Sequence, residues 1–168
     1  MMVDWDWDAK PTYESARIRI DGALSPVVLY DMKLPRQVED HEVALMLSIA
    51  DWHLEKDIPF TALVRHQRGT GVISARHRKA FADWIEDRRE ALRRDDFGVV
   101  IIMPEAIFRA VLRVVYRFRA SPIRTLTTPD LASASESLRA ELRRLGETVT
   151  PEIDAFLSGL EPQPSPSA

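Results

Sequence analysis

The 168-residue chain contains no cysteine. That removes disulfides, thiolate nucleophiles, cysteine metal sites and iron–sulfur clusters. No apolar run approaches the roughly 18 residues that a membrane-spanning helix needs. The first residues, MMVDWDWDAKP, are acidic and lack the basic region and apolar stretch of a secretory signal. With neither cysteine nor signal, the expected location is the cytoplasm. No internal repeat is present.

Several catalytic signatures are also missing. His41-Glu42 begins like a zinc-protease helix, but position 45 is Leu45 where the second histidine would stand. His66 and His77 match no metal template and are expected on the surface of a loop and a helix. No G-x-S-x-G occurs, so there is no nucleophile elbow. Gly69-Thr70-Gly71 lacks both the G-x-x-x-x-G-K-[ST] of a P-loop and the third glycine of G-x-G-x-x-G. No metal, cofactor or catalytic residue is expected. There is no helix-turn-helix signature, so nucleic acid is not an expected partner.

What remains is a chain 45 % apolar, enough to bury a core. Its net charge of −3 hides a division. Residues 1–64 carry −6, residues 65–119 carry +6 and residues 120–168 carry −3. The basic middle is the main electrostatic feature.

Alternation over Ala16–Asp21 predicts a strand, and Val27–Tyr30 a second, joined by a turn at Asp21-Gly22. Pro35 to about Lys56 reads as a helix with Leu45, Ile49 and Trp52 at i, i+4, i+7. Phe60–Val64 is a short apolar strand. Ser74 is a candidate N-cap for a helix from Ala75 to about Arg94, whose apolar stripe includes Phe81, Trp84, Ile85 and Leu92 and takes in Arg88. Val99–Ile102 reads as a buried strand. Pro104 and Glu105 suit the first turn of a helix reaching about Phe118. Ile123–Leu126 is a last strand. Thr128-Pro129-Asp130 opens a helix that Gly146 closes. Strict strand–helix alternation after residue 60 predicts one α/β domain with a mixed, mostly parallel sheet of about five strands. The domain is expected over 15–146. An acidic, aromatic arm (1–14, with Trp5 and Trp7) precedes it, and a helix (147–160) and a disordered Pro/Ser-rich tail (161–168) follow.

Two places draw attention for binding. The loop after Phe60–Val64 carries Arg65 and Arg68, and with Arg76 and the amides of the next helix it could hold an anion or lipid head group. Phosphate on Thr70 or Ser74 would be stabilised beside the same arginines. The helix after Pro104 places Arg109, Arg113 and Arg117 at i, i+4, i+8 on its one polar face, with Arg119 just beyond. That ridge suits an acidic protein surface or an anionic membrane surface. The rest of that helix is apolar enough for part of it to face a second copy of the chain.

The run FTALV, then WIEDRREALRRD, then FGVVIIMPEAIFRAVLRVVYRFRASPIRTLTTPDLASASESLRAEL resembles the SpoIIAA-like (STAS-like) domains of bacterial proteins. The matching residues are Gly98, Val99, Pro104, Arg109 and Pro122, over about residues 15–145. The resemblance implies a four- to five-stranded mixed sheet with helices and a non-enzymatic, protein-binding role in signalling. In the family's anti-sigma-factor antagonists a serine opening the helix after the central strand is phosphorylated. The resemblance maps that serine onto the Gly69–Ser74 region, with Thr70 and Ser74 as candidates. Where the antagonists carry a D-x-S-G-type run, this chain leads into Arg65-His66-Gln67.

Overall fold

Six consecutive residues, Val27–Met32, are buried, and a strand buried on both faces needs a layer on each side. The structure, a computed structural model of the chain, supplies both layers. It describes residues 12–33, 38–66, 74–94, 97–106, 109–110 and 121–159. The expected arm through residue 11, the Gly69-Thr70-Gly71 loop with Arg68, the arginines Arg113, Arg117 and Arg119, and the tail from residue 160 lie outside these.

The strands are β1 (Thr12–Glu14), β2 (Ile18–Leu24), β3 (Val27–Met32), β4 (Phe60–His66), β5 (Phe97–Ile102) and β6 (Arg124–Thr128). The helices among the described residues are α1 (Asp40–Glu55), α2 (Ala75–Asp87), α3 (Arg89–Arg94), α4 (Leu131–Arg144) and α5 (Pro151–Gly159). Residues 106, 109 and 110 are helical as well. The six strands form one sheet in the order of the chain. β1–β2 and β2–β3 pair antiparallel, and β3 through β6 pair parallel.

The α/β class and the mixed sheet agree with expectation, but the strand count is six rather than about five. The extra strand is β1, which pairs Thr12 with Asp21 and Glu14 with Arg19. Three residues between Pro11 and Ser15 carry no readable alternation, so pairing and not pattern makes this strand. Lys33 ties its end down, donating to Glu14 Oε1 at 2.6 Å and to the Ser15 carbonyl at 2.9 Å.

Because the order never reverses, each parallel crossover steps the same way. Connections of one hand then lay their helices on the same face. α1, α2 and α3 accordingly share a core with Ile18, Ile20, Val28, Tyr30, Phe60 and Phe97. α4 and α5 cover the other face with Ala134, Leu138, Leu142, Ile153 and Leu157 over Val27, Leu29, Leu63 and Val100. The expected Ala75–Arg94 helix is two helices, broken at Arg88. Arg88 sits in the apolar stripe because its guanidinium forks onto Asp51 of α1 and lies 5.4 Å from the Trp84 ring centre. Trp84 Nε1 donates to the same carboxylate at 2.8 Å. On α1 the stripe expected through Trp52 runs through His53 instead, buried against Phe60 with ring centres 4.5 Å apart. Asp130 caps α4 by accepting from Ser133 N–H at 2.8 Å. Gly146 closes that helix at φ +75°, with Gly146 N–H on the Arg143 carbonyl and Glu147 N–H on that of Leu142.

Candidate functional site at the carboxyl end of the parallel strands

Ligands of open α/β sheets gather beyond the carboxyl ends of the strands, most readily where the strand order reverses. Here the order does not reverse, so that end has no crevice of that origin and depends on its side chains. Parallel register places Asp31 of β3 beside Arg65 of β4, with Ile102 and Thr128 next in the row. Arg65 Nε donates to Asp31 Oδ1 at 2.8 Å, and its Nη2 donates to Oδ2. Asp31 is buried, and the Arg65 side chain is 18 % exposed. The bond to Asp31 raises the pKa of Arg65 further, so the guanidinium stays charged. Arg65, expected to face a ligand, is held inside the sheet end.

His66 ends β4 and is half-buried, not on the surface. Burial pushes its pKa down, partly offset by the Glu105 carboxylate. Arg109 lies over the loop between β5 and the following helix. Its Nη1 donates to the carbonyls of Met103 and Pro104, both at 2.6 Å. The bond from Ser133 N–H holds the Asp130 carboxyl below its ordinary pKa, and the Arg109 charge adds to this. Arg65 therefore engages Asp31 of β3, and Arg109 engages the carbonyls that follow β5.

Ser74 is the N-cap of α2, its Oγ accepting from His77 N–H at 3.1 Å. His77 is also buried where a surface position was expected, because its Nε2 reaches Asp40 Oδ1 of α1 at 2.9 Å. Arg76 pairs with the other oxygen of Asp40 at 2.8 Å, so the amino ends of α1 and α2 are tied together. His77 Nδ1 is buried with no hydrogen-bond partner among the described residues. Among those residues no three His, Asp or Glu side chains come together to hold a metal ion.

Glu105 and Asp130 stood out in the sequence only as helix-start residues and Asp31 did not stand out, since strand register and loop packing create those pairs. One signal was present: Asp31 is the single charged residue of β3, one position before its end. Compared with protein-family models, curated proteins and solved structures, the chain matches none. No helix among the described residues is long and apolar enough to cross a membrane.

Proposed function

We propose that the chain is a non-enzymatic, cytoplasmic regulatory domain of SpoIIAA-like (STAS-like) type that acts by binding an acidic protein partner. The observation that carries this reading is the place of Ser74. It caps the helix that follows β4, one of the two middle strands, with its hydroxyl at the positive end of the helix dipole. A phosphoryl group there would meet backbone N–H donors and the exposed Arg76, and would change the surface the partner meets. The strand–helix order from β2 to α4 supports the family, and the i, i+4 spacing of Arg113 and Arg117 after Arg109 in the sequence supports a basic ridge. The test uses immobilised wild type, Ser74→Ala and Ser74→Asp against a cell extract. One protein retained by the first two and released by Ser74→Asp, with circular dichroism unchanged, is the expected result. Identical retention by all three, or none, contradicts it.

His77 Nδ1, beside the start of α2 and without a partner among the described residues, favours a second reading. In it the Gly69–Gly71 loop, with Arg68, takes a small anionic ligand or lipid head group. A phosphate or carboxylate compound that raises the thermal midpoint supports this reading. A flat response across such compounds removes it.

A further inference from the structure

At the opposite end of the sheet, Ser25 and His53 meet although 28 positions separate them. Ser25 is exposed in the turn between β2 and β3. His53 is buried near the end of α1, between Trp52 and Phe60, with ring centres 4.8 and 4.5 Å away. Its Nδ1 lies 2.8 Å from the Ile49 carbonyl, which can only accept. Nδ1 therefore carries the proton and Nε2 carries a lone pair. That lone pair lies 3.3 Å from Ser25 Oγ. Burial pushes the pKa of His53 down, which keeps the ring neutral and leaves the lone pair on Nε2 in place. A hydroxyl, a base and a group fixing the base's tautomer are the parts of an activated serine nucleophile.

We propose that Ser25 is a covalent modification site that accepts an acyl group from an activated ester or thioester, with His53 as general base. Ser25 Oγ bonds to the carbonyl carbon and its proton passes to His53 Nε2. The bond to the leaving alcohol or thiol breaks, and that group departs with the proton. The Ser25 N–H is engaged by the Gly22 carbonyl at 3.2 Å, so it does not stabilise the oxyanion. Acylation once per molecule, and not rapid turnover, is what this geometry supports. The site goes beyond the binding role proposed above and does not depend on it.

The test incubates the full chain with p-nitrophenyl acetate and maps acetylated serines by peptide mass spectrometry. Ser158, exposed on α5 and bonded to the Asp154 carbonyl at 2.8 Å, serves as the comparison serine. Ser25 is expected to acetylate about 100-fold faster than Ser158, the usual scale of general-base assistance. His53→Gln, checked for fold by circular dichroism, is expected to remove that advantage. Equal rates at Ser25 and Ser158 overturn the proposal, as does a folded His53→Gln that still labels at the wild-type rate. If His53→Gln unfolds, the Ser25-to-Ser158 ratio in the wild-type chain decides alone.

Discussion

The two ends of the parallel strands treat their polar groups differently. At the carboxyl end, Asp31 and Arg65 fork onto each other, Arg109 clasps two loop carbonyls and Ser74 caps α2. At the amino end, polar groups are set against apolar layers. Glu141 of α4 is 2 % exposed and is held by Arg124 and Arg144 at 2.6 and 2.9 Å. Gly98 makes room for it: a Cβ there would stand 3.3 Å from Glu141 Oε2. The neighbouring Thr61 hydroxyl is buried with no partner among the described residues, and His53 turns a lone pair toward an exposed serine. Residues that look like ligands in the sequence hold the fold at one end. The reactive pair is at the other, where the sequence shows nothing.

Breaking the carboxyl end should have the largest effect. Asp31→Ala leaves a mostly buried guanidinium without its partner and should cost about 3 kcal/mol in urea unfolding. Replacing the pair together, Asp31→Leu with Arg65→Met, should recover most of that loss, as apolar substitutes for buried ion pairs often do. A double variant as unstable as Asp31→Ala would mean that Arg65 is not what Asp31 serves.

Acid should weaken both ends at once. Burial lowers the folded-state pKa of His53 and of His66. The unfolded chain then binds protons that the folded chain refuses, so stability falls as pH drops below the unfolded value of about 6.5 and levels off below the lowered folded values. Each histidine can contribute up to about 1.4 kcal/mol per pH unit in that window. Urea midpoints measured from about pH 7.5 to about pH 5.5 should decline, and His53→Gln should flatten the slope. A flat profile contradicts the burial of both rings.

Smaller changes sharpen the contrast. Ser74→Ala removes the α2 cap and should cost about 1 kcal/mol in thermal unfolding. Thr61→Val, at the amino end, should have the opposite sign. It removes an unpartnered hydroxyl and should stabilise by up to about 1 kcal/mol. Destabilisation by Thr61→Val would show that the hydroxyl has a partner.

Much of the fold was legible because local chemistry and final structure agree. Pro129-Asp130 does start α4, and Gly146 does end it in the left-handed conformation that its lack of a side chain permits. Val27–Tyr30, Phe60–Val64 and Val99–Ile102 are apolar runs that lie within β3, β4 and β5. β1 was not legible, because only pairing with β2 makes it a strand. Arg88 looked out of place in its stripe until α1 brought Asp51 to it. The same limit governs the sites. Ser74 could be read as a cap from its place before a helical run. The Asp31–Arg65 and Ser25–His53 pairs depend on which strand and helix ends lie side by side, and no spacing along the chain encodes that.

The binding role is tested most directly by reversing charge on the ridge. Arg113→Glu with Arg117→Glu leaves untouched the described ion pairs and caps that hold the fold. Partner capture from extract and the thermal midpoint are measured together for this variant and the wild type. The account predicts that the retained protein is lost while the midpoint stays within a few degrees. Undiminished capture by a folded variant would contradict it.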